Sequence, residues 1–297
     1  MSFSIQNCSV QSLQSATGLP IDVLRLDLIH PVVSGNKWFK LKEYLRVAKA
    51  ENKTTLLTFG GAFSNHIVAS AAAAKMEGFN SIGIIRGEEP RTWSPTLLAA
   101  KTYGMSLIFE SRTAYREKQV PPPVYQQYAP SEIFEIPEGG YGLLGKQGAM
   151  SILHCIDTSS YTHIVCAVGT GTTLAGLVEV AKENQKIVGI PVLKNAFSLQ
   201  NEIANLLSPE KQNRFELITD YHFGGYAKRT SELIAFMNSF YRDTEIPTDF
   251  VYTGKTMFAV FDLFRKGFFT LSDKILFIHT GGLQGNLSLQ KGTLIFG

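Results

Sequence analysis

The chain is predicted to be an α/β protein made of two open, mostly parallel-sheet α/β domains, and three observations carry that expectation. Short apolar runs rich in β-branched residues alternate with longer amphipathic segments along most of the 297 residues. The runs are continuously apolar and do not alternate, as strands covered on both faces must be. Glycines bound many of them and mark turns between strands and helices. At about 100–200 residues per domain the length points to two units, and a chain this long buries about three quarters of its unfolded surface.

In chain order, the run TTLLTF at 54–59 reads as a buried strand, followed by a helix over 65–77 that ends at Gly78. Residues 81–86 read as a strand, 95–103 as a helix stopped by Gly104, and 105–109 as the next strand. The pattern resumes with a strand at 162–168, a helix at 173–184, a strand at 186–192 and a late strand at 274–279. Such alternation calls for right-handed crossovers. Pro121, Pro122 and Pro123 interrupt it, so a surface loop or a short irregular crossover is expected between 112 and 128. Gly139, Gly140, Gly142 and Gly145 mark a second break, and no repeat, heptad or low-complexity tract is present.

Composition narrows the function. There are 28 Lys+Arg against 25 Asp+Glu, a net charge of +3 with no basic block, which disfavours nucleic acid as a partner. Cys8, Cys155 and Cys166 form neither a CxxC pair nor an even framework, which fits a reducing compartment. No signal-like start precedes residue 11, and the apolar window at 67–74 is far shorter than the ~20 residues of a membrane span. A cytoplasmic protein with no membrane partner is expected.

Glycine-rich turns between strand and helix are the places to seek a phosphate site, because backbone N–H groups and the helix N-terminus converge there. Residues 140–146, GYGLLGK, match most of a P-loop, but Gln147 stands where Mg²⁺ needs Ser or Thr, and 136–138 make a poor strand. Residues 168–176, VGTGTTLAG, follow a good strand and open a helix. Leu174 occupies the third glycine position of a dinucleotide fingerprint, and no acidic residue ends the next strand to hold a ribose. What remains is Gly169, Thr170, Gly171, Thr172 and Thr173, a turn suited to the phosphate of a small cofactor. In GGAFSNH at 60–66, Ser64 or Asn65 reads first as a helix N-cap, and no nucleophile elbow is present. The six histidines show no HxxxH pair or zinc spacing, so no metal site is expected.

In SGNKWFKL, at 34–41, Gly35 and Asn36 form a turn signal and Lys37 opens a helix. Trp38 and Phe39 beside Lys37 would desolvate its amine, and Lys40 would share its helix face and meet an anion. The ordered set SGNKxxKL, GGxxSNH, EGG, GTGTTxAG, GY, YTGK and HTGG then resembles the 1-aminocyclopropane-1-carboxylate (ACC) deaminase and D-cysteine desulfhydrase family of pyridoxal-phosphate (PLP) enzymes. The motifs run in register from Ser34 to Gly282. The resemblance implies a tryptophan synthase β-like fold, PLP as cofactor, a small amino acid as substrate and a homodimer. It implies that Lys37 holds PLP as a Schiff base, Lys40 lies near the phosphate and Asn65 bonds the ring oxygen. By the same resemblance Gly169, Thr170, Gly171, Thr172 and Thr173 form the phosphate cup, and Thr253 is the partner of the pyridine nitrogen. Ser64, Tyr226 and Tyr252 stand beside the substrate as catalytic residues.

In that family, Glu after the tyrosine accompanies ACC ring opening and Thr accompanies D-cysteine desulfhydration. A neutral threonine weakens the electron sink, which suffices when a β-substituent leaves readily. Thr253 and His66 therefore favour β-elimination from a small amino acid, with ACC deamination or an inactive PLP-binding homologue as alternatives. The chain departs from the family pattern in its short segment before Ser34, in Phe63 and in Leu283-Gln284-Gly285. For Lys37 and the threonine cup to meet, the expected layout is a larger PLP-binding domain, 1–43 with 142–297. A smaller α/β domain, 44–141, is inserted into it.

Overall fold

A computed structural model of the protein describes residues 8–194 and 196–296. Among the described residues, ten strands form two sheets: β1 (Val10–Ser12), β2 (Ile21–Arg25), β3 (Thr55–Gly61), β4 (Asn80–Arg86), β5 (Ser106–Glu110), β6 (Ile133–Ile136), β7 (His163–Val168), β8 (Lys186–Pro191), β9 (Phe215–Leu217) and β10 (Ile275–His279). One sheet runs β1-β2-β10-β7-β8-β9 and the other β5-β4-β3-β6. Every pairing is parallel except β1 with β2. The central strands are buried along almost their whole length, which is why they read as continuous apolar runs.

Helices cover both sheets. The helix Asn36–Ala50 buries Trp38, Phe39, Leu41, Tyr44, Leu45 and Ala48, a stripe at three- and four-residue spacing. The helix Asn65–Glu77 ends at Gly78, whose φ of +79° supplies the left-handed cap. Its run of alanines is buried from Ala69 to Ala74 apart from Ser70, itself buried. The helix Leu143–Met150 approaches the Asn36–Ala50 helix at backbone distance, since a Cβ on Gly148 would stand 2.1 Å from the Phe39 carbonyl oxygen. One apolar cluster joins Leu24, Ile164, Cys166 and Ile278 of the larger sheet to Leu56 and Ile136 of the smaller one through these helices.

Several expectations need correction. The helix expected at 173–184 is Thr172–Val180: Ala181 is extended, and the Gln185 side chain folds back to accept from the Lys182 N–H and donate to the Thr158 carbonyl. Residues 112–128 are not plain loop but hold two short helices, Arg112–Arg116 and Pro122–Gln127, the second with proline at its start, where the missing N–H costs nothing. Ile136 ends a genuine strand, β6, paired with β3, so the segment ahead of GYGLLGK does contain a strand. Lys146 of that motif is held by Glu179 at 2.9 Å. Strands β1, β2 and β9 carried no expectation. β1 and β9 have three residues each, and β2 (IDVLR) is broken by Asp22 and Arg25.

Candidate active site

A cavity of about 580 Å³ opens at the carboxyl ends of β3, β4 and β7, where parallel sheets present their loops to ligands. Loops from both sheets line it. Of the residues expected at a site, Lys37, Lys40, Ser64, Asn65, Gly169, Thr170, Gly171, Thr173, Tyr226 and Tyr252 reach its wall. Thr172 and Thr253 are fully buried behind it.

The lysines come from the first turn of the Asn36–Ala50 helix. Gly35 starts that turn with φ +64°, and a Cβ there would lie 1.9 Å from the Thr280 carbonyl oxygen. The turn is thus pressed against the loop after β10. Lys37 Nζ donates to Asn36 Oδ1 at 3.1 Å, and Asn36 Nδ2 donates to Thr173 Oγ1 at 2.9 Å. Burial pulls the Lys37 pKa down to about 8, with Asp249 acting in the opposite sense. Lys40 Nζ donates to the Gly139 carbonyl at 3.0 Å, and burial together with the nearby Lys37 holds its pKa well below the usual lysine value. Trp38 and Phe39 sit in the core, Trp38 stacked on His30.

Ser64 occupies the N-cap position of the Asn65–Glu77 helix, yet its side chain makes no capping bond. Asn65 Nδ2 donates to the Gly282 carbonyl at 3.2 Å. His66 has a determinate tautomer. Thr58 Oγ1 donates its single proton to the Ile136 carbonyl, so it must accept from His66 Nε2–H at 2.8 Å. That leaves Nδ1 as an acceptor. Burial first, then Lys37 and Lys40, lower the His66 pKa well below its ordinary value, so the ring is neutral.

On the opposite wall, Gly171 caps the Thr172–Val180 helix with φ +79° and has no side chain to take up the first helical N–H groups. Thr170 and Thr172 hydroxyls lie 3.3 Å apart. Further round, the Tyr226 and Tyr252 rings meet edge to face with centroids 6.1 Å apart. Burial raises both tyrosine pKa values, and the neighbouring Tyr226 pushes Tyr252 further up. The Thr253 hydroxyl is engaged with Asp249, accepting from its backbone N–H and donating to Oδ1, each at 2.8 Å.

The sequence profile of the family described as "Pyridoxal-phosphate dependent enzyme" matches residues 8–281. The chain belongs to this family. Among relatives, a Pyrococcus horikoshii protein provisionally named a 1-aminocyclopropane-1-carboxylate deaminase is 32% identical, over 90% of this chain and 86% of its own. A protein from Klebsiella pneumoniae subsp. pneumoniae named D-cysteine desulfhydrase is 28% identical over 91% and 89%. A solved structure described as an ACC deaminase homologue superposes with a TM-score of 0.82 at 29% identity, covering 96% of this chain and 92% of that one. The fold of this PLP enzyme is thus the tryptophan synthase β-like one.

The site residues fit pyridoxal phosphate. Among the described residues, Asn65 Oδ1 and His66 Nδ1 are buried without a hydrogen-bond partner, and Lys40 has no ion-pair partner. A phosphate supplies the counter-charge that Lys40 lacks and suits the uncapped helix N-terminus, while the two orphaned acceptors call for an N–H or O–H donor on the bound group. Among the described residues no group of three or more His, Cys, Asp or Glu side chains is placed to hold a metal, and no helix is long and apolar enough to cross a membrane.

The structure adds residues to this PLP enzyme's site that the motifs did not single out. Asn36 links Lys37 to the threonine turn, and Arg86 and Arg229 reach the cavity wall. Asp249 is fully buried and accepts from the Val251, Tyr252 and Thr253 N–H groups, each at 2.9 Å. An aspartate just ahead of YTGK, at the start of a helix, was the available sign of that role.

Proposed function

We propose that the protein is a PLP-dependent lyase that eliminates a β-substituent from a small amino acid, D-cysteine being the model substrate. Water then completes its conversion to a 2-oxo acid and ammonia, with H₂S released from D-cysteine. The observation that carries this reading is the Lys37 amine in the cavity wall with its pKa lowered to about 8, a lysine available uncharged near neutrality. When bound, pyridoxal phosphate supplies the electron sink for charge developing at Cα.

Lys37 would hold the cofactor and, with its amine free, would take the Cα proton on Nζ. The Thr170–Thr173 turn and the N-terminus of its helix hold the phosphate, with Lys40 as counter-charge. Asn65 donates to the ring oxygen. The Ser64 hydroxyl, not spent on its helix cap, orients the substrate carboxylate. Tyr252, whose pKa is raised well above the usual value by burial, keeps its proton at neutral pH and delivers it toward the leaving group, with the Tyr226 ring packed against it. Thr253, with Asp249 behind it, stands next to Tyr252 and puts a hydroxyl where ring opening would call for a carboxylate. The division into 1–43 with 142–297 and an inserted 44–141 belongs to the same reading. In its favour, the four-stranded sheet draws its strands from within 55–136 alone.

ACC deamination is the second reading, favoured by the name of the Pyrococcus relative. A panel of D- and L-amino acids with ACC, scored for 2-oxo acid and ammonia, separates the two. Release of H₂S and pyruvate from D-cysteine, lost in Lys37→Ala, is expected. Turnover of ACC alone selects the second reading, and cofactor binding with no turnover of any member overturns both.

A further inference from the structure

The loop His222–Lys228, which carries Tyr226 to the cavity, is held in an unfavourable backbone conformation. Phe223 and Ala227 have φ of 52° and 53°, and Gly224 and Gly225 have φ of 92° and 118°. Two successive turns make up the loop: the Gly225 N–H donates to the His222 carbonyl at 3.0 Å, and the Lys228 N–H donates to the Gly225 carbonyl at 3.1 Å. Tyr226 lies inside the second turn. Left-handed φ at non-glycine residues persists only where the surroundings over-determine it.

The ammonium of Lys255 supplies that constraint. Its Nζ donates to the His222 carbonyl at 2.9 Å and to the Gly225 carbonyl at 2.8 Å, so one cation bridges the oxygens that close both turns. The placement is expensive. Lys255 is fully buried, it stands in the first turn of the helix Thr253–Arg265 where the dipole opposes a cation, and among the described residues no carboxylate lies within ion-pairing distance. Burial lowers its pKa to about 8, with the Asp249 charge acting against that shift. An apolar side chain would fill the space at lower cost, so the cation is placed for its donors.

We propose that Lys255 is a positioning residue that fixes the Tyr226 ring against Tyr252 by pinning both turns of the 222–228 loop. This rests on the reading of Tyr226 as an active-site tyrosine, which the loop measurement below does not require.

The test pairs backbone hydrogen exchange with kinetics on the full-length protein loaded with PLP. In Lys255→Met, amides of 222–228 are expected to exchange about tenfold faster or more, with β7 and β10 unchanged. Turnover should fall about tenfold to a hundredfold in kcat with little change in KM, as for a misplaced catalytic group. In a Tyr226→Phe background the same substitution should cost less than about twofold, because the two residues act as one unit. Lys255→Arg, which keeps the donors, should restore slow loop exchange. If Lys255→Met gives no folded protein, Lys255→Gln, whose amide is uncharged and shorter in reach, replaces it, with smaller losses expected in the same direction. Unchanged loop exchange, or losses that multiply across the double variant, overturns the proposal. If the wild type turns over no amino acid, the functional reading fails while loop exchange still decides the role of Lys255.

Discussion

Two lysines on one turn of one helix face the same cavity, and keeping either charged there costs free energy. Lys37 has a pKa of about 8 in the folded protein against 10.5 for an ordinary lysine. Between these values the folded state holds fewer protons than the unfolded one, so the stability of the cofactor-free protein rises with pH across that window. Below about pH 8 the penalty is present in full. Cofactor-free Lys37→Met is therefore expected to be more stable than wild type by about 2 kcal/mol at pH 7, allowing for partial solvation, with the advantage fading above pH 10. Urea titrations at the two pH values check the sign. The same variant should lose the visible absorbance of bound cofactor. At this scale the sequence was most informative where chemistry sits in a contiguous motif, as with SGNK. It assigned no role to Asp249, three residues ahead of YTGK, or to Lys255, which closes that motif, because both act through hydrogen bonds to backbone groups.

At the scale of elements, the motifs rich in glycine coincide with backbones in contact. Gly35 is pressed on Thr280, and a Cβ on Gly281 would stand 2.6 Å from Ser34 Oγ, so SGN and TGG are two halves of one junction. The Cβ of Gly35→Ala would overlap the Thr280 carbonyl at a φ of +64°, where alanine is strained. That variant is expected to lose about 2–4 kcal/mol of stability and to bind PLP more weakly, measured by denaturation and cofactor titration. Central strands and the Asn65–Glu77 helix were legible because burial on both faces and a left-handed glycine cap leave marks in a single sequence. Edge strands were not: β6 is IFEI, half of it partly exposed, and only its pairing with β3 makes it a strand. The early end of the Thr172–Val180 helix was hidden too, since Gln185 reaches across to Thr158 and Tyr161.

For the molecule as a whole, the cavity gathers loops far apart in sequence, and register among the motifs was what signalled their convergence. Ligand binding at such a site couples to global stability. PLP at about a hundred times its dissociation constant should stabilise the protein by about 2.7 kcal/mol, read as a rise in melting temperature. The rise should shrink in Lys37→Ala, and equal rises in both would argue against a bond through that lysine. The apolar cluster that runs from Leu24 and Ile278 to Leu56 and Ile136 does not stop between the sheets. Cutting out 44–141 would bare Leu56, Ala69, Ala72 and Ile136 on one fragment and strip the cover from Phe39 and Trp38 on the other. Heating the intact protein should thus give a single calorimetric transition, with no step in which one sheet melts before the other. In such a protein the cofactor cleft and the fold are lost together, so a destabilising change far from the cavity would be felt as loss of cofactor.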